Sequence, residues 1–389
     1  MCDTTKRTYR IIIGSKKFFS DILEKDLPNT TFAEQNYFQE MVRKHDEHSK
    51  RFTINGIDKK ESDTFQKSDL LIVRNDDYHG IVETAHDRLG SLIEDLTNDN
   101  ATVYIHNPTK LLSNYIEILN SQNKINLSKN NETYSIQCDA SIFSKNIAAI
   151  EQNIIGQKSA IDEVCKSMWY LTQVNRTKPY VVMLFGKSST GKTEMIRELS
   201  AKFFGDMMLE KHLSMFKNEA NSHYLFGGQP NRTSIGFDLM ERQSNLVFLD
   251  EFDKLPDYFY SVFYTLFDNT LFSDTTYQVD ISGLLIFLTS NYNSQEEMKK
   301  HLGLPIYYRI NKFVHFKSFN DTAIYAIANK ETDKHIIESD NKIKKDDLYY
   351  RVSSKLLSTG ENARTISNVI QQEVENLLFE EVEAHNSTT

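Results

Sequence analysis

The chain predicts an α/β fold with a parallel sheet, and three adjoining observations carry that expectation. Tyr180–Phe185 reads YVVMLF, a continuous apolar and β-branched run of the kind a strand buried on both faces requires. It leads into FGKSSTGKTEM, Phe185 to Met195, which places Gly186, Gly191, Lys192 and Thr193 in the spacing G-x-x-x-x-G-K-[ST]. Beyond it, Met195, Ile196, Leu199 and Phe203 recur at helical spacing, so the loop opens a helix.

The chemistry of a phosphate cradle explains that spacing. Glycines let consecutive backbone N–H groups turn inward toward phosphates, and the helix N-terminus adds a favourable dipole. Gly186, Lys187, Ser188, Ser189, Thr190, Gly191, Lys192, Thr193 and Glu194 are therefore the candidate nucleotide-binding residues. Lys192 supplies charge to the terminal phosphates of ATP, and the Thr193 hydroxyl is a candidate ligand of Mg²⁺.

Composition bounds the rest. A length of 389 residues predicts two or three domains, and 39% hydrophobic with 25% charged residues describes a soluble globular chain. The formal net charge of −9 gives no general footprint for nucleic acid. No apolar run reaches the length of a membrane span and the start, MCDTTKRTYR, is not a signal peptide, so a cytoplasmic protein without a membrane partner is expected. Cys2, Cys138 and Cys165 lack metal or disulfide spacing and are read as reduced; the histidines form no metal set.

Taken in order, residues 1–138 predict a small α/β domain for partner or ligand binding. Strand signals at Arg10–Gly14, Phe52–Asn55, Asp69–Arg74 and Thr102–His106 alternate with helical ones at Phe18–Leu27, Ile81–Leu96 and Lys110–Leu119. No glycine-rich fingerprint follows any of these strands. Asp76, Asp77, His79 and His86 near a strand end could line a ligand site, although a solvated loop and helix surface is the preferred reading. Residues 120–133, rich in Asn, Ser and Lys, predict a flexible connection; Tyr134–Cys138 is a short strand-like run, followed by a helix over Ile142–Gln152.

Two further strands end in polar chemistry. Leu246–Leu249 is apolar and is followed by Asp250 and Glu251, carboxylates suited to holding Mg²⁺ and polarising the attacking water, respectively. Leu284–Asn291 is a third strand, ending on an asparagine.

With the stretch IIGQKSAIDEVCKSMWYL, Ile154 to Leu171, these landmarks resemble a Clp-type AAA+ ATPase module over about Ile142 to Phe379. The resemblance implies an AAA+ P-loop NTPase fold with a parallel-sheet core and a C-terminal helical lid, preceded by the small α/β domain. It implies boundaries at 139–318 for the large ATPase domain, 319–380 for the lid and 381–389 for a disordered tail. By the same resemblance Ile154 and Ile155 pack on adenine, Asp250 and Glu251 are the Walker B pair, and Asn291 is the first sensor. Arg309, in YYRINKFVHF, would be an arginine finger supplied to the adjacent subunit. Arg364, in GENARTI, would be the second sensor of the lid, reaching phosphate in cis. Pro305 departs from the family pattern and predicts a shorter preceding turn, and a short strand over Ile343–Tyr349 is interrupted by Asp346 and Asp347.

A trans arginine implies a ring or helical homo-oligomer, a hexamer by resemblance. In the family an aromatic–glycine loop grips polypeptide; here Tyr224 and Phe226 before Gly227 read either as that loop or as core side chains beside a turn. Only 17 residues separate Asn291 from Arg309, too few to add a ClpP docking loop. The readings carried forward are an ATP-driven protein remodeller acting on a protein substrate, and an ATP-dependent switch or scaffold in signalling or antiviral defence, whose N-terminal domain senses a ligand or recruits an effector protein. A nucleic-acid motor is disfavoured.

Overall fold

Two parallel sheets organise the chain in the computed structural model, which describes residues 6–28, 30, 36–51, 65–81, 83–134, 136, 138–218, 221–228, 232–339, 343–359 and 362–386. The first elements are β1 (Thr8–Ile13), α1 (Lys16–Asp26), α2 (Phe38–Arg51), β2 (Ser68–Val73), α3 (Leu89–Leu96), β3 (Thr97–His106), α4 (Lys110–Ser121) and β4 (Asn126–Asn131). There follow α5 (Ala140–Asn153), α6 (Lys158–Gln173), β5 (Tyr180–Phe185), α7 (Lys192–Phe203), β6 (Leu209–His212), α8 (Ser222–Phe226), α9 (Ile235–Met240) and β7 (Leu246–Asp250). The last are α10 (Tyr260–Asp268), β8 (Leu271–Ser273), β9 (Gln278–Asp280), β10 (Leu285–Ser290), α11 (Gln295–Tyr307), β11 (Lys312–His315), α12 (Asp321–Glu338), α13 (Lys345–Thr359) and α14 (Ala363–Asn386).

The chain divides into two compact units. One gathers Met1–Tyr134, Phe216–Asn245 and Ser261–Ser282; the other gathers Ser135–Met215, Leu246–Tyr260 and Gly283–Thr389. Two later stretches, which the sequence assigns to the ATPase domain, belong structurally with the N-terminal unit.

In the first unit four parallel strands lie in the order β2-β3-β1-β4. Ile11, Leu71, Val73, Val103 and Ile105 form one core with Phe38, Ile93 and Ile116. Ile12, Ile72 and Tyr104 form another with Phe19 and Leu23. This is the two-sided burial a parallel sheet imposes.

β4 corrects the reading of residues 120–133 as a flexible connection. It pairs with β1 from Thr8↔Asn126 to Ile13↔Asn131. As an edge strand it is solvated along nearly its whole length, so its polar side chains mimic a loop while its backbone completes the sheet. The helix expected over Ile81–Leu96 is α-helical only in α3, after a 3₁₀ turn at Glu83–Arg88. Phe52–Asn55 lies outside the described residues, and Tyr134–Cys138 forms no strand among its described residues.

The second unit has parallel strands in the order β11-β5-β10-β7-β6. Phe185 pairs with Ser290, and Leu288 with Leu249, so β5, β10 and β7 end at one edge. Val182, Leu184, Phe248 and Phe287 pack with Val164, Met168, Met195 and Leu199 of the flanking helices. The C-terminal helices α12, α13 and α14 share a core of Ala328, Leu348, Val352, Ile366 and Ile370.

Instead of a strand over Ile343–Tyr349, α13 begins at Lys345, with Asp346 and Asp347 in its first turn. There the carboxylates favour a helix by facing its positive end. α14 continues to Asn386, past the start of the tail expected at residue 381.

Candidate active site

The phosphate loop is shaped by positions that only particular residues fill. Gly186 has φ +134°, and a Cβ on it would lie 2.2 Å from the Phe316 carbonyl oxygen. Gly191 has φ +98° and caps α7, and Ser189 also takes a left-handed conformation, at φ +59°. The loop thus presents its backbone at the N-terminus of a 12-residue helix, an arrangement that fits a polyphosphate.

Lys192 starts that helix and is buried. Its Nζ donates to the carbonyls of Gly186 and Lys187, both at 2.7 Å, and lies 3.4 Å from Asn291 Oδ1. Burial pulls the ammonium down to about 8, while Asp253 and Asp250 oppose the shift. Thr193 and Glu194 follow in the first turn of α7. Gln157 pins the loop from α6, donating through Nε2 to the Thr190 carbonyl at 3.1 Å and the Lys317 carbonyl at 2.8 Å.

Asp250 ends β7, and Glu251 follows with φ +57° and ψ +45°. Such left-handed geometry in a residue bearing a Cβ is uncommon and turns the chain sharply as the strand ends. Thr289, on the neighbouring β10, fixes the pair: its hydroxyl donates to Asp250 Oδ1 and accepts the Glu251 amide at 2.8 Å. On the other side, in register from β6, His212 Nδ1 lies 3.3 Å from Asp250 Oδ2. Asn291 follows β10 directly, next to Lys192.

The loop and the three polar residues Asp250, Glu251 and Asn291 thus meet at the carboxyl ends of β5, β7 and β10. Ile154 is buried between α5 and α6, its Cγ2 being 3.8 Å from where a Cβ on Gly191 would stand; Ile155 beside it is half-buried. Arg309 lies in the turn after α11 and donates to the Pro305 carbonyl at 2.7 Å. Pro305 sits within α11, which kinks at Gly303 (φ +72°). Arg364 is exposed in the first turn of α14, and the residue before it, Ala363, donates its N–H to the Ser189 carbonyl at 3.2 Å. The start of α14 is thereby tied to the phosphate loop. Gly360 and Glu361 of GENARTI lie outside the described residues.

Three site residues escaped the sequence reading. Thr289 and His212 act through hydrogen bonds across strands, which pairing alone reveals, while Gln157 stood within the quoted IIGQ without a role. Close by, the Asp253 carboxylate is buried, with Oδ1 unpartnered among the described residues.

The other candidates do not converge. In the N-terminal unit Asp76 pairs with Lys16 Nζ at 2.6 Å, Asp77 accepts the Arg74 amide, His79 packs on Phe237 and His86 is buried. Among the described residues no cluster of His, Cys, Asp and Glu could hold a metal ion. No helix among them is long and apolar enough to cross a membrane.

Residues 177–346 match the family model of the AAA domain (Cdc48 subfamily). The chain is 26% identical over 268 residues to chaperone protein ClpB of Mycoplasmoides gallisepticum, covering 60% of this chain and 36% of that one. It is 24% identical over 278 residues to the negative regulator of genetic competence ClpC/MecB of Bacillus subtilis, covering 60% and 34%. It therefore spans about a third of the length of these two curated relatives. The S. cerevisiae Hsp104-ADP complex shares the fold at a TM-score of 0.51 and 16% identity, covering 80% of this chain and 70% of that one. The fold, with the match over residues 177–346, supports an AAA+ P-loop module. Within that class, the ClpB and ClpC relatives support one of the Clp type.

Proposed function

We propose that the chain hydrolyses ATP and that it acts as an oligomeric, Clp-like protein-remodelling ATPase. The gathering of the phosphate loop, Asp250, Glu251 and Asn291 at one sheet edge is the observation that supports hydrolysis. Lys192 and the loop amides hold the phosphates, and Thr193 and Asp250 hold Mg²⁺. When bound, Mg²⁺ neutralises phosphate charge and aligns the terminal phosphate. Glu251 polarises water and Asn291 orients it. Arg364 reaches phosphate from the lid, and Ile154 and Ile155 pack on adenine. Arg309 serves the site of the next subunit, so turnover depends on assembly, hexameric by resemblance to the family. A cytoplasmic protein without ClpP docking, membrane or nucleic-acid partner fits this reading.

The trans arginine is tested by mixing two inactive proteins. A Lys192→Ala subunit keeps its arginine, and an Arg309→Ala subunit keeps its phosphate loop. Mixing is expected to restore part of the turnover. Normal turnover by Arg309→Ala as a monomer would contradict the assignment.

A second reading, an ATP-dependent switch or scaffold that engages an effector protein, is favoured by the gripping-loop candidates. Tyr224 OH donates to Asp238 Oδ2 at 2.6 Å and its ring packs at 5.3 Å from Phe216, whereas Phe226 is exposed. Their stretch belongs to the N-terminal unit. Replacing both by alanine separates the readings: loss of protein processing with ATP turnover retained favours the remodeller, and unchanged function favours the switch.

A further inference from the structure

The N-terminal unit carries its own small-molecule crevice. Its chain order makes β1 cross in one direction along the sheet to β2, while β3 crosses in the other to β4. The reversal falls between the carboxyl ends of β1 and β3, where open parallel sheets bind ligands. A pocket of about 410 Å³ lies there, within the size range of small-molecule sites.

Its lining divides by chemistry. Phe19, Leu23 and Tyr37 give an apolar floor, and His106 stacks on Phe19 with ring centroids 4.6 Å apart. Glu24 and Asp76 are acceptors at the rim, and Lys16 and Arg74 are cations. The Arg74 guanidinium carbon lies 4.1 Å from the Tyr37 ring centre, and Arg74 is exposed, so a guanidinium suited to a bidentate anion stands at the pocket.

The neighbouring helix terminus is already filled from within the chain. Ser15 N–H donates to Glu132 Oε2 at 2.6 Å and Lys16 N–H to Glu241 Oε2 at 3.1 Å. A diphosphate straddling the start of α1, as in dinucleotide sites, is therefore displaced by these carboxylates. One phosphate held by Arg74, with Lys16 released to it as its 2.6 Å pair with Asp76 opens, a sugar on Glu24, and a planar base on the apolar floor match what remains.

Glu241 gathers the polar groups around this crevice. Besides the Lys16 amide, it accepts Asn75 Nδ2 at 2.8 Å and Asn107 Nδ2 at 3.0 Å, and it lies 3.7 Å from His106 Nδ1. Lys16, Asn75 and His106 also line the pocket. Five residues after Glu241 the chain enters β7, which carries Asp250.

We propose that the crevice binds a nucleoside monophosphate and that Glu241 transmits its occupancy along the chain to β7. This coupling rests on the switch reading, whereas binding itself does not.

The test uses the full chain and AMP as probe. In a Lys192→Ala background, which disables the phosphate loop, equilibrium dialysis is expected to give one AMP per chain. Arg74→Ala should weaken that binding at least tenfold, and Ser20→Trp, at an exposed position on the pocket wall, should abolish it. Adenosine and inorganic phosphate should each bind more weakly than AMP. With Lys192 intact, AMP should shift ATP turnover; Ser20→Trp should remove the shift by removing binding, and Glu241→Gln should remove it with binding kept. Absence of AMP binding, or equal binding to both pocket variants, overturns the site and leaves the switch reading standing. Binding at the pocket with unchanged turnover overturns the coupling and the switch reading together.

Discussion

Thr289 holds Asp250 and Glu251 in one geometry: a single hydroxyl donates to the Asp250 carboxylate and accepts the Glu251 amide. The consequence is that two residues with different tasks share one support from an adjacent strand. Thr289→Val keeps the shape and removes both bonds. A hydrogen bond to a charged group contributes about 1.5–3 kcal/mol, so turnover should fall roughly tenfold or more. Thr289→Ser should restore most of it. Equal steady-state turnover for Val and wild type would remove Thr289 from the account.

The left-handed backbone at Glu251 predicts a trade between stability and activity. Both Glu251→Gly and Glu251→Ala delete the carboxylate, but only glycine adopts φ +57° without a Cβ penalty. Thermal or urea unfolding should find the Gly variant no less stable than Ala, and by as much as about 1 kcal/mol more stable, despite glycine's greater entropy when unfolded. A clearly less stable Gly variant would contradict the strain.

Gly186→Ala should distort the loop, because the added Cβ would meet the Phe316 carbonyl at 2.2 Å and backbone cannot yield as a side-chain tip can. Affinity for a fluorescent ATP analogue should drop by at least tenfold, since the amides at the loop's start shift with it. Unaltered affinity would mean that this end of the loop does not set the phosphate position.

The thiols offer a check on burial. The Cys165 thiol is pushed up to about 12 by burial, with Asp162 and Glu151 adding to the shift. Little thiolate exists at pH 8, so iodoacetamide should label Cys165 slowly in the folded chain and rapidly in denaturant, as read by mass spectrometry. Equal labelling in both states would refute its burial.

What was legible in the sequence follows physical lines. YVVMLF and LVFL announce buried parallel strands because both of their faces are apolar, and the glycine and lysine spacing of the loop has few other uses. β4 was misread because an edge strand draws its stability from backbone pairing to β1 and shows none of it in side chains. Asp346 and Asp347 interrupt a strand pattern in the sequence, whereas at a helix start they are stabilising. The stretches Phe216–Asn245 and Ser261–Ser282 join the N-terminal unit through bonds such as Lys110 N–H to the Thr276 carbonyl at 2.9 Å and Asn75 to Glu241, separations no local pattern encodes. Thr289 and His212 were silent for the same reason.

The measurement that bears most directly on the account is nucleotide binding and turnover in Glu251→Gln. The substitution keeps size and removes only the carboxylate's capacity to polarise water. Binding of a fluorescent ATP analogue with Mg²⁺ should match wild type while steady-state hydrolysis falls roughly 10²–10⁴-fold. Hydrolysis near the wild-type rate with binding intact would contradict the assignment of Glu251, and with it the proposed chemistry of this site.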